Sequence, residues 1–344
     1  MKKYGKAIFN ALFLIVLIAA TLYFILRDQN IGAIFAAIRQ ARKIWLILAI
    51  ILVFVFVCSE SVIIKYLMRQ LSNHVRLVRC IKYSFIGFFF SCVTPSASGG
   101  QPMQVYYMQK DKLNVSVSAL VLLIVTVGYK AVLVVLSGVM FLFERPFIMT
   151  NLGNVKYILI YGIIANVLFI AFLLLMILKG SLAQSMIDGC IHFLSFLHII
   201  KNKKKIQEKF YKMMGSYHAG AAYIRNNWMT LIIVFLISVV QRVALFLVPW
   251  CVYRSFGLFG ISAVQIVTLQ TIIALSVDML PLPGGVGASE TSFTVMFGSI
   301  FGSQLLIPGM LLSRGISYYF LVFISGIVTV AAHFLLIRRG RKKE

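Results

Sequence analysis

The sequence contains little charge. Only 12% of its 344 residues are charged, and nine residues are acidic. With 61% hydrophobic residues and a mean hydropathy of +0.95, the chain has too much apolar surface for a soluble domain. Apolar runs of about 20 residues, long enough to cross a hydrocarbon core of about 30 Å, recur along it. A β-barrel would instead need segments of about ten residues that alternate apolar and polar side chains. We therefore predict an all-α polytopic membrane protein.

Metal-ligand and nucleophile patterns are also absent. The five cysteines are scattered without a Cys-x-x-Cys pair, and the five histidines show no metal-binding spacing. Ser289 follows glycines but lacks a Gly-x-Ser-x-Gly elbow and nearby His and Asp partners. The sequence therefore predicts no metal site, no cofactor and no catalytic residue.

Charge of one sign dominates, with a formal net charge of +24. Such an excess can indicate nucleic-acid binding, but here the basic residues lie in loops between apolar spans, with no folded domain to present them. We interpret them as topology signals and as contacts to anionic lipid headgroups, with no nucleic acid involved.

Two short stretches interrupt the apolar runs with proline, glycine and small polar residues. One reads Thr-Pro-Ser-Ala-Ser-Gly-Gly-Gln-Pro at 94–102, and the other reads Pro-Leu-Pro-Gly-Gly-Val-Gly-Ala-Ser-Glu at 281–290. Proline removes a backbone donor and glycine relaxes the dihedral limits, so the freed peptide groups need protein or cavity water as partners. Each stretch predicts a broken helix at a binding site, and their similarity indicates an internal duplication. Paired glycines that only allow close helix packing are the alternative.

The apolar runs divide the chain into two membrane halves, 1–178 and 229–344, joined by a polar linker at 179–228. Full spans are predicted at 5–26, 44–66, 115–141, 156–178, 229–253 and 308–337. The broken segments are predicted at 81–108 and 262–301. Within the linker, apolar residues at helical spacing opposite lysines between 201 and 225 predict an amphipathic helix that lies on the cytoplasmic leaflet.

The basic residues suggest an orientation. If each broken segment is a re-entrant hairpin, the six full spans leave both termini on one side. Most of the 33 Lys and Arg residues fall on that side, which the positive-inside rule assigns to the cytoplasm. The hairpins would then enter from opposite sides, as in inverted repeats that rock against each other. The alternative is that each broken segment crosses fully as two short helices.

Three acids and three cations fall inside the predicted spans, where a charge costs about 3 kcal/mol at the bilayer centre. One interpretation is that they form buried pairs that only orient helices. The other is a ligand site, in which the helix N-terminus after the second interruption and a basic side chain hold a phosphate. A carboxylate, Asp278 or Glu290, would then meet an ammonium group or a proton. The six residues are Glu60, Lys130, Arg242, Asp278, Glu290 and Arg314.

Backbone and small polar groups at the interruptions complete the predicted substrate-binding site. The first contributes Ser96, Ser98, Gly99, Gly100 and Gln101, and the second contributes Pro283, Gly284, Gly285 and Gly287 next to Asp278 and Glu290. These groups suit a polar ligand without identifying it.

Read together, the two interruptions resemble the lysylphosphatidylglycerol synthase transmembrane family. The matching elements are Leu280 to Glu290, with the pattern Pro-x-Pro-Gly-Gly-x-Gly-x-x-Glu, and the less specific Pro95 to Pro102. The resemblance extends over essentially the whole chain. The family includes the membrane half of the bifunctional lysylphosphatidylglycerol flippase/synthetase and many stand-alone bacterial and archaeal proteins.

The resemblance implies a multi-pass protein of a bacterial or archaeal cell membrane that moves an aminoacylated phospholipid, such as lysylphosphatidylglycerol, between leaflets. In bifunctional members this activity is associated with resistance to cationic antimicrobial peptides, and a soluble C-terminal domain transfers the lysine. This chain ends in a basic tail after its last span, so we expect no such domain and no lysyltransferase activity.

Two alternatives stay open. One is a part in lipid aminoacylation together with a separate catalytic domain, and the other is a polyprenyl-phosphate or glycolipid carrier or a scaffold. The expected partner is a phospholipid substrate, and a homodimer and a separate lipid-modifying enzyme stay open as further partners.

Overall fold

The computed structural model describes residues 23, 31–71, 73–178, 219–223 and 226–341, and the regular structure in these ranges is helical. The main α-helices are α1 (Ile31–Gln40), α2 (Lys43–Gln70), α3 (Leu77–Cys92), α4 (Gly100–Lys110), α5 (Val115–Phe143), α6 (Arg145–Leu152), α7 (Val155–Leu178), α8 (Trp228–Phe246), α9 (Val248–Ser255), α10 (Ala263–Val277), α11 (Ala288–Met296), α12 (Gly298–Arg314) and α13 (Leu321–Arg341). Short 3₁₀ turns at Pro95–Ala97 and Pro283–Gly285 interrupt the chain, and a π-helical segment, Gly315–Phe320, joins α12 to α13.

Five helical stretches are long and apolar enough to cross a membrane, which confirms the all-α polytopic prediction. They are Lys43–Gln70, Val115–Phe143, Val155–Met176, Trp228–Ser255 and Gly298–Leu336. Helices α2, α5 and α8 pack against one another in the centre. Apart from Tyr23 and 219–223, which are helical, the predicted span 5–26 and the predicted amphipathic helix at 201–225 lie outside the described residues.

The structure corrects one predicted boundary. The last span begins at Gly298 instead of 308, so the second broken segment ends at Met296 instead of 301. Gly302 (φ +67°) bends this span after its first turn, but no polar loop separates it from the preceding helix. The short helices α1 and α6 were not predicted from the sequence.

Helices α3 and α4 fold back on each other as a helical hairpin, called hairpin 1 below. Near its open end, Lys82 Nζ lies 2.5 Å and the Tyr83 hydroxyl 2.6 Å from Asp111 Oδ2. Near its closed end, Ser91 packs against Gly100. Burial alone would raise the pKa of Asp111, but the hydrogen bonds from Lys82 and Tyr83 and the charge of Lys82 hold it below its usual range.

Helices α10 and α11 also pack together and form hairpin 2. Contacts along α5 show how the two hairpins are placed. Hairpin 1 ends just before α5 starts, and Gln101 near its tip donates to Thr126. Hairpin 2 meets α5 from the other end, because Thr268 near its start donates to Met140 Sδ at 3.1 Å and Asp278 near its tip is bonded to Lys130. The two hairpins therefore approach from opposite ends of α5, and their tips meet along its middle.

The two tips, the first break (94–99) and the second break (281–287), contact each other and have the same local conformation. An extended residue precedes each proline, Thr94 in the first and Leu282 in the second. Two residues with positive φ follow each proline: Ser96 and Ala97 in the first break, and Gly284 and Gly285 in the second. The left-handed region costs a non-glycine residue about 1–2 kcal/mol, so the first break is strained where the second is not.

We predict that cysteines placed at the open ends of the two hairpins react with a membrane-impermeant maleimide from opposite faces of the membrane. Suitable exposed positions are Lys110 at the end of hairpin 1 and Phe259, just before hairpin 2. Labelling of Lys110→Cys and Phe259→Cys would be compared in intact and permeabilised cells, with the parent protein as the background. Reaction of both from one face would contradict the arrangement along α5.

Candidate functional site

A cavity of about 320 Å³ lies where the two breaks meet. Its walls come from both hairpins and from α2, α5 and α8, so residues of both halves of the chain face it. Of the polar side chains in the breaks Ser96 faces the cavity, and Gln101, Asp278 and Ser289 face it from positions beside the breaks. The cavity is therefore the candidate functional site.

The structure separates the predicted site residues into two groups. Those that line the cavity are Glu60, Ser96, Gln101, Arg242, Asp278, Gly284, Gly285 and Arg314. The others lie behind its walls or at the edge of a break: Ser98, Gly99, Gly100, Lys130, Pro283, Gly287 and Glu290. Eight of the fifteen predicted site residues therefore face the cavity, and the other seven do not.

Glu290 stabilises the second break from behind. Its side chain is 0% exposed, and its Oε2 accepts a hydrogen bond from the Gly287 amide at 2.8 Å. Its Oε1 accepts from Arg314 Nε at 2.8 Å and from the Tyr319 hydroxyl at 3.1 Å. Both carboxylate oxygens are occupied, so in this structure Glu290 has a structural role in place of the predicted contact with a headgroup ammonium.

Arg314 connects this cluster to the backbone of the break and to the cavity wall. Its Nη2 donates to the Gly284 carbonyl at 3.4 Å, and the Tyr318 ring lies 4.5 Å from its guanidinium carbon. Gly284 is needed here because its φ is +59° and a Cβ would lie 1.9 Å from the Tyr318 hydroxyl. Tyr318 and Tyr319 belong to the π-helical segment, a distortion that often marks functional sites.

Lys130 and Asp278 form a second ion pair, at the start of the second break. Lys130 also donates to Asn166 Oδ1 at 3.1 Å, and Asn166 on α7 lies close to the end of α10. The Lys130 side chain is 4% exposed, whereas that of Asp278 is 23% exposed and faces the cavity. Lys130 therefore neutralises a carboxylate at the cavity wall and does not itself line the cavity.

Arg242 is different, because no carboxylate pairs with it in the described ranges. The ion pairs found there are Lys82–Asp111, Lys130–Asp278 and Arg314–Glu290. The Arg242 guanidinium carbon lies 4.4 Å from the Tyr129 ring centroid and 5.5 Å from that of Phe56, and its buried Nε has no hydrogen-bond partner. A guanidinium held by aromatic rings at a cavity wall, with unused donors, can bind a phosphate or a carboxylate.

Sequence reasoning missed several polar residues that shape the site. Gln104 donates to Glu60 Oε1 at 2.8 Å, Asn166 orients Lys130, and the tyrosines of the π-helical segment surround Arg314. An isolated amide inside an apolar run is the signal that could have identified Asn166, since such groups need a partner in a membrane. Gln104 has no such signal, because its helix also contains Gln101 and Gln109.

We predict that breaking the buried pair behind the second break destabilises the protein strongly. Glu290→Gln and Arg314→Gln should each lower the free energy of unfolding by about 3–5 kcal/mol, because each leaves a buried group without its partner. Denaturant titration in detergent would measure this loss. Lys82→Gln, which breaks a more exposed ion pair, should lower the free energy of unfolding by less. Equal stability of all variants and the wild type would contradict the structural role of the Glu290–Arg314 pair.

Comparison with known proteins finds membrane proteins similar to this chain. The family model for the lysylphosphatidylglycerol synthase TM region matches residues 11–325 of this chain. A curated relative, described as a UPF0104 membrane protein from Archaeoglobus fulgidus, is 22% identical over 301 residues, which cover 85% of this chain and 88% of that protein. These matches confirm the resemblance seen in the two interruptions. The chain belongs to the lysylphosphatidylglycerol synthase transmembrane-region family.

Proposed function

We propose that the protein is a lipid translocase that moves an aminoacylated phospholipid, such as lysylphosphatidylglycerol, between the leaflets. The observation that supports this most directly is the cavity where the two breaks meet, with the Arg242 guanidinium on its wall and no carboxylate paired with it among the described residues. A cation that has no carboxylate partner in an apolar bundle is expensive, and a phosphate ligand would offset that cost.

The placement of the hairpins suits alternating access. Because they approach from opposite ends of α5, we infer that each is re-entrant and enters from its own side of the membrane, with both termini in the cytoplasm. Opening one hairpin would connect the cavity to one side while the other hairpin keeps it closed to the opposite side. The two hairpins, one from each half of the chain, have the same turn at their tips, which fits this mechanism.

In this mechanism Arg242 holds the lipid phosphate, and the acyl chains stay in the surrounding lipid. The fork of guanidinium donors matches phosphate oxygens, and the Tyr129 and Phe56 rings keep the guanidinium plane in place. The two ion pairs at the second break neutralise the charges of Asp278 and Arg314 on the wall, so Arg242 is the wall cation that no described carboxylate pairs with. The phosphate is therefore attracted to one position.

The identity of the transported lipid is suggested by the family. Its name refers to lysylphosphatidylglycerol synthase, and the match is to the membrane region of such proteins. An aminoacylated phospholipid is consistent with a cavity that contains both a cation and carboxylates, namely Arg242, Glu60 and Asp278. We infer that this chain contributes transport and not lysyl transfer, because the described residues form a transmembrane bundle around a cavity.

We predict that Arg242→Gln abolishes translocation in liposomes that contain the purified protein and lysylphosphatidylglycerol with a fluorescent acyl chain. Exposure of the lipid on the outer leaflet would be measured by dithionite quenching. The loss should be at least about tenfold, since a charge-assisted contact to the phosphate disappears.

Arg254→Gln is the matched control. Arg254 lies in the same span, is also surrounded by aromatic rings (Trp45, Trp250 and Phe259) and has a buried, unpartnered Nε, but it does not line the cavity. The Arg254→Gln variant should transport lipid at the rate of the wild type. Equal transport by Arg242→Gln, or no transport by well-folded wild-type protein, would contradict the proposal.

A further inference from the structure

We propose that Glu60 forms the ammonium subsite of the cavity and that Gln104 positions it, which makes Glu60 the residue that selects lipids with a cationic group. This inference rests on the proposed function, because it concerns the headgroup bound in the same cavity. It assigns to Glu60 the contact for which the sequence suggested Asp278 or Glu290.

The other two membrane carboxylates are already neutralised. Asp278 is paired with Lys130, and both oxygens of Glu290 accept hydrogen bonds from Arg314, Tyr319 or the Gly287 amide. Glu60 belongs to none of the ion pairs in the described part of the chain. Among those residues Gln104 is the one that donates a hydrogen bond to the Glu60 carboxylate, and the oxygen that accepts it is Glu60 Oε1. The second oxygen is therefore left for a ligand.

Gln104 is built into hairpin 1 so that it holds the Glu60 carboxylate in place. Its side chain is 4% exposed, and its Nε2 donates to Glu60 Oε1 at 2.8 Å and to the Tyr83 carbonyl at 3.1 Å. Gly87 leaves the necessary space, because a Cβ there would lie 2.3 Å from Gln104 Nε2. Gln104 is therefore a positioning residue, and it connects Glu60 on α2 to both helices of hairpin 1.

Glu60 and Arg242 together define the chemistry of the ligand. Their helices, α2 and α8, pack against each other, and both side chains line the cavity without forming an ion pair. A headgroup with one phosphate and one ammonium would satisfy both charges. A headgroup with a phosphate alone would bring a second negative charge next to Glu60, which disfavours it. The pair therefore selects for headgroups with both charges.

Equilibrium binding tests this subsite independently of transport. The full-length protein in detergent would be titrated with lysylphosphatidylglycerol and with phosphatidylglycerol, and bound lipid would be counted by native mass spectrometry. The wild type should prefer the lysylated lipid. Glu60→Gln should reduce this preference at least about tenfold, because it removes the charge that binds the ammonium.

Three further variants and a control at Glu144 separate the subsite from general damage. Glu60→Asp should keep part of the preference, and Gln104→Leu and Gly87→Ala should lower it by displacing the carboxylate or its donor. Glu144→Gln, at the end of α5 and outside the cavity, should leave the preference unchanged.

The two proposals fail in different ways. An unchanged lipid preference in folded Glu60→Gln would overturn the ammonium subsite, even if both proteins transport lipid. Binding selectivity that depends on Glu60, combined with no translocation in liposomes, would support the subsite and contradict the translocase. A wild type that binds both lipids equally would also overturn the subsite.

Discussion

Peptide groups that are freed where a helix breaks inside an apolar bundle must find hydrogen-bond partners, and the architecture of this protein follows from that constraint. At the second break, Glu290 accepts from the Gly287 amide while Arg314 donates to the Gly284 carbonyl, so one ion pair satisfies backbone groups in the middle and at the end of the break. At the first break, Thr94 accepts from the Gly99 amide, and neutral Gln101 reaches Thr126. The same separation of 188 residues relates Pro95 to Pro283 and Thr126 to Arg314. The tip region of each hairpin is therefore connected to an equivalent place on the helix that follows that hairpin, α5 or α12.

This arrangement divides the membrane charges into two kinds. Lys130 pairs with Asp278 and Arg314 pairs with Glu290, and these two neutral ion pairs stabilise the second break. Glu60 and Arg242, in contrast, face the cavity without an ionic partner in the described ranges. The breaks differ accordingly. In the second break the positive-φ positions are glycines, and ion pairs hold the break in place. In the first break the positive-φ positions are the exposed residues Ser96 and Ala97, which are strained there, and the contacts are neutral. The same turn thus occurs twice at one cavity, held by ion pairs in the second break and by neutral hydrogen bonds in the first.

The sequence predicted the features that depend on local chemistry. Proline and glycine indicated both breaks, apolar length indicated the spans, and the equal number of acids and cations in the spans indicated neutralisation. It did not predict which charges pair, because Lys130 and Asp278 are 148 residues apart in the sequence and only folding brings them together. It also missed Gln104 and Asn166, whose importance depends on the helix that each one faces. The last span was placed too late because Gly302 and Pro308 interrupt its pattern without ending the helix.

The central claim is that a lipid headgroup occupies the cavity between the two breaks. Photocrosslinking tests it most directly, with a phospholipid that has a diazirine in its lysylated headgroup and with the attachment sites located by mass spectrometry. We predict adducts on residues from both halves, such as Gln101, Tyr129 and Arg242, that decrease when unlabelled lipid competes. Adducts confined to the outer surface of the bundle, such as the exposed face of α7, would contradict the claim.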